Sequence, residues 1–312
     1  MSDARQIELD RLAVCLERIE RDLASLETRL ADYQADIRET QTHMWEARRD
    51  MDHIDKVAMR QSIDQRARSA GVLRDQKAKL LKLRRSPYFG RVDFARAGTQ
   101  DTAACYVGVH DFRDDQTGEA HVFDWRAPVS SLFYDFETGP AFYEAPSGTI
   151  HGEIRLKRQF RIRDGRMELM LEAGVNIVDE VLQDELSRAS DDGMKNIVAT
   201  IQRDQNAIVR NGEAHTLIIQ GVAGSGKTSI ALHRIAFLLY RFRDTLASSD
   251  ILIVSPNRVF AQYIGNVLPE LGEETVPEMG MEDLAAALLG DTIRFETFFE
   301  QTARLHDRAD ED

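Results

Sequence analysis

Eight consecutive residues of this 312-residue chain have the types and spacing to hold a polyphosphate: Gly221, Val222, Ala223, Gly224, Ser225, Gly226, Lys227 and Thr228. They satisfy G-x-x-x-x-G-K-[ST], the phosphate-binding loop. Its glycines reach dihedrals closed to other residues, so backbone N–H groups can turn inward and ring an anion. A helix that starts directly behind aims its positive end at the same spot. Lys227 is expected to reach the β- and γ-phosphates of ATP, and the Thr228 hydroxyl to ligate Mg²⁺. Lys227 and Thr228 are therefore the catalytic candidates, and Ser229 completes the nucleotide-binding set. The bland alternative is an ordinary Gly/Ser turn.

Such a loop needs a strand before it and a helix after it. Thr216–Gln220 is a short apolar run that reads as a buried strand, and Ser229–Tyr240 has helical periodicity. Upstream, Ile201–Val209 reads as part of a helix carrying Gln205. An amide can donate to N7 and accept from N6–H₂ of adenine at once. Gln205 is thus either an adenine contact or a solvated glutamine on an amphipathic helix. Beyond the loop helix, Asp250–Val254 reads as a second parallel strand ending in Ser255-Pro256-Asn257-Arg258. Open α/β sheets bind ligands at such strand ends. Asn257 and Arg258 suit either a nucleic-acid contact or a helix cap. No apolar strand followed by Asp-Glu, which would hold Mg²⁺ from the far side, is found after Thr228. Leu288-Leu289-Gly290-Asp291 lies in an alanine-rich helical context and is not taken for one.

Residues 1–70 contain no glycine and no proline, which favours long helices. Leu9, Leu12, Leu16, Ile19, Leu23, Leu26, Leu30, Tyr33 and Ile37 recur at spacings of three and four, the a/d stripe of a coiled coil. A second helical run, Ala70–Leu83, follows. Together they suggest an antiparallel hairpin turning between Asp50 and Gly71; a dimeric coiled coil is the alternative. Arms of about 35 residues would project roughly 50 Å, with Asp50, Asp52 and Asp55 near the turn. Ser86-Pro87 ends the second helix. From Tyr88 to Leu171 the pattern changes to strands. Ile154, Leu156, Phe160 and Ile162 alternate, with polar Arg158 taking one inward position, and Asp164-Gly165 makes a hairpin turn. Asp124-Trp125-Arg126-Ala127-Pro128 suits either a binding loop or a packed tryptophan beside an Asp–Arg pair at a strand end. The expected fold is α+β and multidomain. It has a helical coiled-coil hairpin (1–85), a small antiparallel β domain (86–175) and an incomplete P-loop α/β, RecA-like motor domain (176–312).

The formal net charge of −13 argues against binding nucleic acid through overall charge. The two cysteines, Cys15 and Cys105, do not suggest a disulfide framework. No apolar run approaches the roughly 20 residues that span a bilayer, and Met1–Arg5 lacks a signal-peptide pattern. A cytoplasmic location without membrane contact is expected.

Ile201–Val209 with Gly221–Thr228 resembles the Q motif and motif I of UvrD/Rep-type superfamily-1 helicases. Within these, the chain is similar to the amino-terminal part of the HelD-like ATPases that recycle RNA polymerase. The helical hairpin, Pro87-Tyr88-Phe89-Gly90-Arg91-Val92-Asp93-Phe94, Asp124–Pro128 and Gln220–Thr228 carry the narrower resemblance. It implies that Gln205 contacts adenine, that Ser255–Arg258 corresponds to motif Ia, and that residues 1–85 enter the secondary channel of bacterial RNA polymerase. The ATPase would then release stalled polymerase from nucleic acid, a further partner. The sequence departs from the family by ending inside the first motor domain, without Walker B and later motifs. Two other readings stand beside this one: a UvrD-type helicase acting on single-stranded DNA, and a non-enzymatic coiled-coil protein with a vestigial P-loop.

Overall fold

A computed structural model describes residues 2–304 except 48–50, 100, 115–116, 173–197, 223, 256–266, 291–295, 297–299 and 303. The chain divides into two compact units, Met1–Arg188 with Val198–Asn206, and Ala189–Ile197 with Ala207–Asp312.

The first unit opens with two long helices, α1 (Ser2–Glu46) and α2 (His53–Arg85). Lys77 meets Glu27 at 2.7 Å, Arg84 meets Glu20 at 3.4 Å, and Arg66 donates to Thr40 at 2.8 Å, so the pair runs antiparallel. This is the expected hairpin, but its second arm starts at His53 rather than near Ala70. Residues 53–69 carry few apolar side chains, so their periodicity is faint, yet they contain no breaker and are well capped. The Asp52 carboxylate accepts the Asp55 N–H at 2.8 Å, leaving one fewer orphan donor in the first turn. Ser86, before Pro87, closes the helix.

The sheet follows, formed by β1 (Gly90–Arg96), β2 (Thr102–Gly108), β3 (Phe112–Arg113), β4 (Ala120–Asp124), β5 (Gly139–Ala145), β6 (Gly148–Arg163) and β7 (Arg166–Glu172). A short helix, α3 (Ser131–Asp135), precedes β5. The order is β3-β4-β2-β1-β6-β5, with β7 also on β6. The expected antiparallel domain is in fact a mixed sheet, because β2 and β4 pair in parallel through Val107–Phe123 and Gly108–Asp124. The β3 excursion between them brings the chain back in the same direction, which local alternation cannot reveal. Along β6, Ile154, Arg158, Phe160 and Ile162 are buried. Asp164 (φ 46°) and Gly165 (φ 74°) then turn the chain into β7, as a two-residue hairpin requires.

The stripe of α1 changes partner along its length. Leu12, Cys15, Ile19 and Leu23 pack with Leu83 of α2 and with Tyr88, Tyr106, Phe112, Val122, Phe160, Ile162 and Met167 of the sheet region. Leu26 and Leu30 pack instead with Ala70 and Leu73 of α2. Residues 1–85 and 86–175 therefore share one core and one compact unit. About 23 residues of α1 lie beyond Leu23, so at 1.5 Å per residue the hairpin extends about 35 Å past the sheet, less than its full arm length.

One carboxylate fixes this root. Glu8 is fully buried. Its Oε1 accepts from Arg91 at 2.6 Å and from Arg158 at 2.8 Å, and its Oε2 accepts from Tyr106 Oη at 2.9 Å. Arg91 also makes a two-pronged contact with Asp93, at 2.7 and 2.8 Å. Arg158 also grips Glu172 at 2.7–2.8 Å. Burial alone would lower the Arg91 pKa, but hydrogen bonds to Asp93 and Glu8 hold it above its ordinary value.

In the second unit, α5 (Lys227–Arg241) buries Ile230, Leu232, His233, Ala236, Phe237 and Leu239. It follows α4 (Arg203–Arg210), a helix within which the division of the units falls. Strand β8 (Ile253–Ser255) pairs in parallel with β9 (Glu278–Gly280), and the helices α6 (Val267–Glu270) and α7 (Met281–Leu289) accompany them. The expected strand at Thr216–Gln220 is absent: these residues join no ladder, and Ile218 is 83% exposed. An apolar run becomes a strand only where a neighbour takes its hydrogen bonds. Among the described residues β8 pairs with β9 and none pairs with 216–220.

The Glu8 network yields a direct test. Glu8→Ala leaves Arg91 to Asp93 alone and Arg158 to Glu172 alone and takes the acceptor from the buried Tyr106 hydroxyl, so it should cost about 3 kcal/mol, the low end of the range for breaking a buried ion pair. Urea unfolding followed by circular dichroism measures it. A loss below about 1 kcal/mol, as for exposed pairs, would show that the network adds no more than a surface contact.

Candidate nucleotide-binding loop and the family

The loop that the sequence singles out lies immediately before α5. Gly224 (φ 79°) and Gly226 (φ 78°) take left-handed conformations, and Gly226 is the N-cap of α5 without a side-chain hydrogen bond. The first-turn N–H groups of Lys227, Thr228 and Ser229 thus point out of the helix end. A side chain at Gly221 would meet Ser225 Oγ at 2.6 Å, so the loop closes tightly there. Lys227 Nζ folds back onto the loop and donates to the Gly221 carbonyl at 2.9 Å and the Val222 carbonyl at 2.7 Å, with Ser225 Oγ at 3.5 Å. Ser229 Oγ is buried and, among the described residues, has no hydrogen-bond partner. The set suits a polyphosphate. Two left-handed glycines, an uncapped helix start and an ammonium group converge on one small loop, and the lysine holds weak neutral acceptors that an anion would replace. Ala223 lies outside the described residues, as do Asp50, the expected helix Val178–Arg188, and Pro256, Asn257 and Arg258. Ser255 ends β8 and is buried.

Gln205 has a role that spacing alone did not suggest. It is the third residue of α4, and its Oε1 accepts the Gln202 N–H at 3.1 Å. That is one half of a capping box, in which the third helical residue reaches back to the cap. The amide nitrogen and one lone pair of Oε1 remain for a ligand. The next residue, Asn206, is fully buried and donates to Asp135 at 2.7 Å.

Asp124-Trp125-Arg126 is not an open loop. Trp125 is fully buried. Asp124 accepts from Arg126 Nε at 2.8 Å, Nη2 at 2.7 Å and the backbone N–H at 2.8 Å, while Ser130 Oγ donates to the Asp124 carbonyl at 2.6 Å. The motif is a packed tryptophan with an ion pair at the end of β4, the second of the two readings above. Residues that sequence reasoning missed lie at the root: Glu8 and Cys15 occupy buried stripe positions, and Arg91 faces Glu8 together with Arg158, whose inward position the alternation did show. A buried Arg158 in an otherwise apolar alternation signals a hidden acid, but nothing local says that the acid is 150 residues away.

A helical hairpin rooted in a mixed sheet precedes the glycine-rich loop in the sequence. Residues 5–193 match the family model described as DNA helicase IV HelD, N-terminal domain, and the chain belongs to this family. Comparison with curated proteins finds no match. Among the described residues, no helix is long and apolar enough to cross a membrane.

Histidine 233 offers a pH test inside the loop helix. Its Nδ1 lies 2.7 Å from the Ser229 carbonyl, which can only accept, so Nδ1 carries the proton. Burial pushes its pKa down from 6.5 to about 4. A histidine depressed in the fold stabilises fully above the unfolded value of 6.5. That contribution is lost as pH falls from 6.5 toward 4, by about 1.4 kcal/mol per unit. The thermal midpoint of the chain should fall through this window. His233→Gln should fall less steeply, and equal slopes would show that His233 is not the group responsible. His110, buried near Lys82, Lys79 and Arg126 and also pushed to about 4, supplies a parallel loss in the first unit.

Proposed function

We propose that this chain is the ATP-binding portion of a superfamily-1 helicase-like ATPase that binds bacterial RNA polymerase through residues 1–85 and promotes its release and recycling. The observation that carries the reading is the far end of the hairpin. Trp45 is 68% exposed and Ile54 76% exposed, on facing arms close to the turn. Large apolar side chains at the tip of a projecting arm contribute nothing to a core and suit a protein pocket. Exposed Asp52 and Asp55 beside them add negative charge suited to a basic or metal-bearing surface, although Asp52 also caps α2.

At the loop, the backbone N–H groups from Gly221 to Ser229 would surround the phosphates, and Lys227 would exchange carbonyl oxygens for phosphate oxygens. Thr228 would hold Mg²⁺ together with those oxygens, and Gln205 would use its free amide positions on adenine. Membership of the HelD family, the uncapped start of α5 and the self-contacted lysine support this assignment. Hydrolysis adds the need to orient a water and to neutralise charge on the leaving phosphate.

Two variants separate the two halves of the proposal. Lys227→Ala should abolish binding of labelled ATP–Mg²⁺ while leaving retention on immobilised core RNA polymerase intact. Trp45→Ala with Ile54→Ala should do the opposite, weakening polymerase about thirtyfold, the scale of a hot spot of roughly 2 kcal/mol. Tip substitutions are preferred to deletion of residues 1–85, because Leu12, Cys15, Ile19 and Leu23 belong to the sheet's core. Polymerase affinity unchanged by the tip substitutions would overturn the polymerase assignment. ATP affinity unchanged in Lys227→Ala would overturn the nucleotide site.

A further inference from the structure

The residue after Gln205 is a buried amide. Asn206 is fully buried, and its Nδ2 donates to Asp135 Oδ1 at 2.7 Å. A carboxylate offers acceptors, so the nitrogen end of the amide faces it. Asp135 is the last residue of α3, whose Leu132, Phe133 and Tyr134 are buried. The segment leading into α4 is tied to the same region. Tyr134 Oη donates to the Val198 carbonyl at 3.1 Å, and Gln159 Nε2, on β6, donates to the Ala199 carbonyl at 3.1 Å. Val198 and Ile201 are buried beside these contacts. All of these residues, Gln205 included, belong to the first unit.

An apolar side chain at position 206 could be buried without any polar group to satisfy. What asparagine adds is direction, because a hydrogen bond holds both a distance and an angle. Successive side chains of a helix point about 100° apart, so fixing Asn206 fixes where Gln205 projects. The Gln205 amide is held in turn at its own end, where Oε1 accepts the Gln202 N–H at 3.1 Å. A rotation of α4 by about 20°, at a side-chain radius of roughly 5–6 Å, would carry that amide about 2 Å. A two-pronged contact with a base does not survive such a shift. We propose that Asn206 and Asp135 are positioning residues for the nucleotide base, which rests on the adenine contact assigned to Gln205 above. They hold α4 at the rotation that presents the Gln205 amide, so the sheet region of the first unit sets how strongly adenine is read.

Isothermal titration calorimetry of the full chain with Mg²⁺–ATP and with Mg²⁺–tripolyphosphate tests the proposal. The ratio of the two affinities isolates the base. Gln205→Ala should lower that ratio about tenfold, within the range for one lost two-pronged base contact. Asn206→Ala should lower it about fivefold, the scale of one hydrogen bond. In the Gln205→Ala background Asn206→Ala should lower it no further, because the two act through one contact. Asn206→Asp sets a second carboxylate against Asp135 and should also lower the ratio. Adding Asp135→Asn restores an amide–carboxylate pair in reverse and should return the ratio toward the wild-type value. Asp135 is only half-buried, so Asp135→Ala replaces Asn206→Ala if the latter does not fold. A pair that served stability alone would leave the ratio where it is. A wild-type ratio in Asn206→Ala and Asp135→Ala, beside a lowered one in Gln205→Ala, overturns the positioning role and leaves the adenine contact standing. A wild type that binds ATP no better than tripolyphosphate overturns the adenine contact, and the positioning role with it.

Discussion

A carboxylate buried in a helix and satisfied by two arginines and a tyrosine holds this structure's first unit in register. Glu8 draws together β1 through Arg91, β6 through Arg158 and β2 through Tyr106, three adjacent strands. Apolar packing alone would tolerate a slide of α1 by one turn, since the stripe presents similar leucines at every step. A buried charge does not tolerate it: displaced, the Glu8 carboxylate would lose three partners at once and stay buried without compensation. Specificity of placement, more than net stability, is what the network contributes.

The same helix answers to two different surfaces. Its first half completes the core of a sheet, and its second half completes a two-helix seam. One continuous stripe serves both because a 3.6-residue period is blind to whether the facing surface is a sheet or a helix. The hairpin is thus an extension of the folded unit and not a body tethered to it.

Much of this was legible locally. The helical stripe, the Asp164-Gly165 turn and the inward position of Arg158 follow from spacing and residue type, while burial of Trp125 decides between the two readings of its motif. What was not legible depends on partners distant in sequence. Glu8 reads as one more solvated acid on a charged helix until Arg91 and Arg158 are brought to it. The parallel pairing of β2 with β4 depends on where β3 sends the chain. Thr216–Gln220 has the composition of a buried strand, yet composition supplies no neighbour to take its hydrogen bonds. At the loop, residue types and the two left-handed glycines agree, while the capping contact of Gln205 emerges only once the start of α4 is fixed at Arg203.

The two arms extend about 35 Å beyond their last contact with the sheet. Angular error at the root is multiplied over that span: a tilt of about 5° moves the tip about 3 Å, roughly one hydrogen-bond length. The exposed Trp45 and Ile54 are therefore aimed by side chains at the opposite end of the hairpin. Slack around Glu8 would appear as blurred positioning at the turn long before it appeared as unfolding.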